Sequence, residues 1–159
     1  MRRIIFTLAV GMALALAPAV PAHAATPTVW VNVVGASAWP VGAAVTTVDH
    51  YTSSVARYGS CRLGARCVTI LERTIRSDWA AVTYGADTAR VTIYLNPQRR
   101  YYSWYTRRSI VLHELGHAYG IYLHNSTCVS VMYGHVFCPG GALPPYRFTA
   151  YQRGVLWRH

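Results

Sequence analysis

Three residues of one short stretch, His113, Glu114 and His117, have the side chains and the spacing that a catalytic metal site needs. They form an HExxH pattern within a predicted helix. At 3.6 residues per turn, His117 lies about 40° around the helix axis from His113, so both imidazoles face the same way. Two such imidazoles can bind one zinc ion, and the neighbouring carboxylate can act as a base without being a ligand. The pattern therefore predicts a zinc site with Glu114 as the catalytic base.

A catalytic zinc site usually has three protein ligands, and the sequence restricts the choice of the third. No Asp or Glu follows Glu114, which excludes a downstream carboxylate. His124, His135 and His159 remain, with the cysteines as a more distant option. His124 is preferred because Gly120 lets the chain turn out of the helix four residues earlier. His135 is the alternative.

The helix that carries this pattern is predicted to run from Ser103 or Thr106 to Tyr119, with Gly120 as its C-cap glycine. Its face opposite the histidines is apolar and should pack on a core. Alternating or β-branched stretches predict five strands, at Thr28–Val34, Val55–Tyr58, Val68–Glu72, Ala80–Tyr84 and Arg90–Leu95. Helical spacing predicts two further helices, one near 40–51 and one near 150–157.

The first 24 residues have the order of a secretory signal peptide: charged, then apolar, then small residues around Ala22 and Ala24. The apolar run has about fourteen residues, whereas a membrane span needs roughly twenty. The sequence therefore predicts a signal peptide at 1–24, a secreted mature chain at 25–159 forming one catalytic domain, and no membrane anchor after cleavage.

Export would allow the four cysteines to form disulfides. Of three pairings, Cys61–Cys67 with Cys128–Cys138 is preferred, because each closes a short loop between predicted turns. A zinc site built from cysteines is the competing interpretation, but the chain contains no CxxC pair.

The chain is strongly basic: its 15 basic residues are all arginine, and the formal net charge is +10. Without Arg2 and Arg3 of the leader, the charge is about +8. Such a charge suits an anionic partner, such as nucleic acid or an acidic surface. Arginines and aromatic residues alternate most densely at 99–108, but no known nucleic-acid-binding pattern accompanies them. We therefore expect no nucleic-acid partner.

The stretch HELGHAYGIYLH, followed by the methionine-containing segment Ser130–Tyr133, resembles the matrixin-like group of the metzincin zinc metallopeptidases. The resemblance covers residues 106–135. Metzincins have the pattern HExxHxxGxxH and then a tight turn with methionine beneath the metal. Here His124 comes one residue later, and Leu123, which cannot bind zinc, stands at the family position. We interpret the difference as a one-residue insertion in the turn after the helix.

The resemblance implies an α/β (α+β) fold of the metzincin-like zincin type. Its parts are a twisted mixed sheet of about five strands, an active-site helix and a C-terminal helix. It also implies an edge strand over the cleft, which we assign to Arg90–Leu95, and a substrate that adds to it as an extra strand. The implied activity is that of a secreted endopeptidase with one catalytic Zn²⁺ ion. We expect a monomer that acts on proteins or peptides.

The competing hypothesis is a secreted binding module that keeps zinc for stability, or an inactive peptidase relative that recognises an anionic surface. The intact Glu114 argues against it. A purely structural zinc has no use for a base and is usually held by four protein ligands.

Overall fold

The computed structural model describes residues 28–76 and 78–156 of the chain. The predicted signal peptide at 1–24 lies outside the described residues, as does His159. Within them, the protein is a mixed α/β structure with one five-stranded sheet and three α-helices.

The sheet has the spatial order β2-β1-β3-β5-β4. Its strands are β1 (Thr28–Val34), β2 (Val55–Tyr58), β3 (Arg66–Glu72), β4 (Ala81–Tyr84) and β5 (Arg90–Leu95). The first four in spatial order run parallel, and β4 pairs antiparallel with β5. The mixed sheet of five strands is confirmed, although β3 begins two residues earlier than predicted.

The helices are α1 (Val41–Asp49), α2 (Trp104–Ala118) and α3 (Ala150–Leu156), with a short 3₁₀ turn at Pro97–Arg99. Helices α1 and α2 pack together, and α2 also contacts β4 and β5. The face of α2 predicted to be apolar is buried in the core, through Val111, Leu112, Leu115 and Ala118. Burying this face against the sheet fixes how α2 is rotated, and so fixes where its opposite face points.

The edge strand on the side of α2 is β4, so our assignment of Arg90–Leu95 as that edge was wrong. Strand β5 lies between β3 and β4, and its side chains Val91, Ile93 and Leu95 are almost fully buried. A tight connection makes β4 its antiparallel neighbour: Gly85 has φ +70°, and a Cβ there would lie 2.7 Å from the Arg90 carbonyl oxygen. Strand β4 is therefore left with an unpaired edge on the α2 side of the sheet, and β2 forms the opposite edge.

Both preferred disulfides are present, Cys61–Cys67 and Cys128–Cys138, with Cα–Cα distances of 5.5 and 5.7 Å. The first fastens the β2–β3 loop to β3, and the second closes a loop that follows His124. Two disulfides are consistent with an extracellular protein. Among the described residues, no helix has the length and apolar character needed to cross a membrane.

Glu72, at the end of β3, joins the sheet to the segments that lead into both long helices. Its carboxylate accepts hydrogen bonds of 2.7 Å from the Trp39 indole and from Nε of Arg100, and it forms an ion pair with Arg100. Its side chain is only 9% exposed. Because a buried charge is costly unless it is paired, this carboxylate and its two donors form a single unit.

We expect Glu72→Gln to lower the free energy of unfolding by about 1–3 kcal/mol, because the charge opposite Arg100 is lost. Urea denaturation measures the change. Asp87→Asn is the matched control, since it removes an equal charge from an exposed site. Equal stability of the two variants would contradict a structural role for the Glu72 unit.

Candidate functional site

Helix α2 places His113 and His117 on one face, opposite its core face. The helix begins after Ser103, whose hydroxyl accepts a hydrogen bond of 3.1 Å from the Thr106 backbone N–H. This N-cap satisfies a backbone donor that a helix leaves unpaired at its start. Since the two histidines are four positions apart, their rings lie side by side on the helix, with centroids 4.8 Å apart.

A chain reversal at Gly120 brings His124 back to the same place. Gly120 has φ +93°, a conformation that favours glycine, and its N–H donates to the His117 carbonyl at 2.9 Å. The next N–H, of Ile121, donates to the Gly116 carbonyl at 3.0 Å. These bonds end the helix and turn the chain toward the imidazoles, as the sequence predicted for Gly120.

The three imidazoles converge on one point. Nε2 of His113 lies 3.0 Å from Nε2 of His124, and Nε2 of His117 lies 3.1 Å from each of the other two. Three donors at tetrahedral positions around a zinc ion, with Zn–N bonds of about 2.0–2.1 Å, would be about 3.3 Å apart. The observed triangle is therefore close to the size that one metal ion needs.

Hydrogen bonds on the far side of two rings fix which nitrogen faces inward. Nδ1 of His113 lies 2.9 Å from the Val131 carbonyl oxygen, and Nδ1 of His117 lies 2.6 Å from that of Ile121. Because a carbonyl can only accept, each Nδ1 is the donor, and in the neutral ring Nε2 then carries the lone pair. Two lone pairs at 3.1 Å repel, and a shared cation removes the repulsion. The residues present therefore fit a metal ion.

Desolvation favours the uncharged form of these rings, which a metal requires, although His113 and His117 are half-buried and His124 is exposed. It lowers the pKa of His113 to about 4 and also lowers the pKa of His117 and His124. Desolvation disfavours the protonated imidazole, so it shifts each ring toward the neutral form. Neutral imidazole is the form that binds metals.

Met132 lies beneath the site, in a tight turn closed by a hydrogen bond of 3.2 Å from the Tyr133 N–H to the Ser130 carbonyl. The methionine is fully buried against Gly116 of α2. A Cβ at Gly116 would collide with the Met132 sulfur and lie 3.1 Å from the Phe148 ring. The glycine in HELGH thus allows the turn to approach the helix closely.

The segment after His124 is held by α3, a support that sequence reasoning missed. Asn125 accepts a hydrogen bond of 3.0 Å from the Gln152 side chain and donates one of 2.8 Å to the Ser130 hydroxyl. Gln152 is itself fixed, because it exchanges hydrogen bonds with Thr149 at the start of α3. The T-x-x-Q pattern signals this capping box, but nothing in the sequence signals its bond to Asn125.

Glu114 faces the same cavity and is buried, with 7% of its surface exposed. The Thr83 hydroxyl of β4 donates to its carboxylate at 2.5 Å. Burial raises the pKa of Glu114, and the hydrogen bond from Thr83 acts in the opposite direction. Glu114 lies outside the group of three converging donors. Sequence reasoning missed Thr83, because the contact joins residues on separate elements.

A cavity of about 510 Å³ opens over the imidazoles and Glu114. One wall is β4 with the residues before it, and another is the segment that follows Met132. Among its lining residues are Ala81, Thr83, Ile110, Tyr133, His135 and Pro144. The cavity therefore runs along β4, the edge strand on the α2 side of the sheet.

The other sequence candidates do not join the converging donors. His135 is exposed, lines the cavity and lies against Tyr133, with ring centroids 5.4 Å apart, but it is not part of the group formed by His113, His117 and His124. The four cysteines are in disulfides. His159 is not among the described residues.

We expect Gly116→Ala to lower the free energy of unfolding by about 1–3 kcal/mol, because the added methyl group overpacks the contact with Met132. Gly154→Ala in α3 is the matched control, since a Cβ there meets no atom within 4 Å. The control should be neutral or slightly stabilising. Thermal denaturation of both variants measures the difference, and equal melting temperatures would contradict the close packing.

Comparison with known proteins adds no family to this description: no protein-family model matches the chain, and no curated protein matches it.

Proposed function

We propose that this protein is a secreted zinc-dependent endopeptidase of the metzincin type. His113, His117 and His124 bind the metal, and Glu114 is the general base. The observation that carries the proposal is the convergence of three imidazole nitrogens within 3.0–3.1 Å beside a buried carboxylate in an open cavity. Three protein ligands with an open fourth position are typical of catalytic zinc rather than structural zinc.

The donor set supports zinc as the metal. Imidazole suits zinc, copper, iron and nickel, whereas calcium and magnesium prefer oxygen ligands. When bound, zinc supplies Lewis acidity, which lowers the pKa of a water molecule and polarises a carbonyl group. Among the described residues, the Nδ1 hydrogen bonds of His113 and His117 orient the two rings for that role.

The chain's own residues supply the proton transfers and the substrate site. Glu114 takes a proton from the attacking water at a carboxylate oxygen and gives it to the amine nitrogen of the leaving peptide. The unpaired edge of β4 offers backbone groups to an extended substrate, which would add as another strand beside the cavity. An extended chain held in this way brings one peptide bond to the metal site.

Two further features support a metzincin type. The Ser130–Tyr133 turn places buried Met132 beneath the histidines. Leu123, at the position where metzincins have their third ligand, is 77% exposed, while the next residue, His124, reaches the other two rings. An extra residue accommodated at 122–123, where Tyr122 and Leu123 are both exposed, explains both facts.

The alternative, a zinc-stabilised binding module that recognises an anionic surface, shares the metal but not the hydrolysis. Digestion of casein or gelatin by the zinc-loaded protein, with and without a chelator, separates the two. Chelator-sensitive digestion supports the endopeptidase. Full zinc occupancy without digestion of any protein substrate would favour the binding module.

We expect His124→Ala to weaken zinc binding by more than about 100-fold, since even changes to the partners of ligands cost 10–100-fold. Metal analysis after dialysis against a competing chelator measures the loss. His135→Ala is the matched control, because His135 lines the same cavity but is not one of the converging donors. Zinc loss from the control instead would make His135 the ligand.

We expect Glu114→Gln to lower kcat at least about 100-fold while zinc remains bound, because the variant cannot accept the proton. Peptide hydrolysis and metal content are measured on the same preparation. Retained activity with zinc fully bound would exclude Glu114 as the base.

A further inference from the structure

The contact between Thr83 and Glu114 joins the edge strand to the active-site helix. Oγ1 of Thr83 lies 2.5 Å from Oε2 of Glu114 and 3.2 Å from the Glu114 backbone oxygen. A distance of 2.5–2.7 Å is typical of a hydroxyl that donates to an ionised carboxylate. The hydroxyl hydrogen of Thr83 is therefore directed at Oε2 and not at the Glu114 backbone oxygen.

Within residues 28–76 and 78–156, Thr83 is the only hydrogen-bond donor to this carboxylate. Glu114 is almost fully buried, so few waters can replace the hydroxyl. A glutamate side chain has three rotatable bonds and adopts several rotamers unless it is held. With Oε2 held by Thr83, Oε1 is the oxygen left to receive a proton from the cavity.

We propose that Thr83 is a positioning residue that fixes the Glu114 carboxylate relative to the strand on which the substrate pairs. Thr83 belongs to β4, and its neighbours Ala81 and Val82 also line the cavity. Strand β4 would therefore both hold the Glu114 carboxylate and pair with the substrate. The inference rests on the proposed endopeptidase function and adds a residue that does not itself touch the metal ligands.

Kinetics of four variants test this role. Thr83→Val removes the hydroxyl and keeps the shape, and Thr83→Ala removes it without placing a methyl group against the carboxylate. Thr83→Ser keeps the hydroxyl. Thr92→Val on β5 is the matched control. Among the described residues, Thr92 donates no side-chain hydrogen bond, and it lies opposite Tyr84 of β4, the strand that carries Thr83.

We expect kcat to fall roughly tenfold or more in Thr83→Val and Thr83→Ala, because a small misplacement of a catalytic group costs up to about 100-fold. KM should change less than about threefold, since the substrate strand pairs through backbone groups. Thr83→Ser should recover most of kcat. Equal kcat in Thr83→Val and Thr92→Val, or failure of Thr83→Ser to recover kcat, would overturn the proposal.

Crystal structures of the zinc-loaded wild type and Thr83→Ala give a readout that does not depend on activity. We expect the Glu114 carboxylate to leave its wild-type position, or to adopt several rotamers, while the three imidazoles stay in place. An unchanged carboxylate would overturn the positioning role. If the zinc-loaded wild type hydrolyses no peptide, the proposed function fails, and the crystal structures still decide whether Thr83 holds Glu114.

Discussion

The structure depends on holding three imidazole nitrogens closer together than they would lie without a common partner. Nε2 lone pairs of His113 and His117 face each other at 3.1 Å, and His124 completes the triangle. Such an arrangement costs free energy unless a cation is shared, so the surrounding fold has to maintain it. Three features hold the group in place. Carbonyl acceptors orient two of the rings, the chain reversal at Gly120 brings in the third, and buried Met132 packs beneath α2.

Local patterns predicted most of the elements, because their causes are local. Three of the five strands begin and end where alternation and turn residues placed them, and α2 differs by about one residue at each end. The HExxH spacing alone determines that His113 and His117 share a face, and Gly120 signals the reversal that follows. Short loops between turns were sufficient to choose the two disulfides.

Local patterns could not predict contacts between distant segments. The order of the sheet could not be read from single strands, and the edge was assigned to β5 although β4 occupies it. The continuous burial of Val91, Ile93 and Leu95 marks an interior strand only once its neighbours are known. The contacts of Thr83 with Glu114 and of Gln152 with Asn125 likewise join residues 31 and 27 positions apart. A threonine or a glutamine carries no sequence signal for such a distant partner.

The bond between Gln152 and Asn125 makes the position of the third imidazole depend on α3. His113 and His117 both lie on α2, but the loop that carries the third imidazole is braced by a helix near the end of the described residues. Without α3 in place, only His113 and His117 on α2 would keep their positions, and two imidazoles would hold a metal ion more weakly than three. The affinity of the group for a metal ion would therefore depend on a helix that contributes none of the three imidazoles.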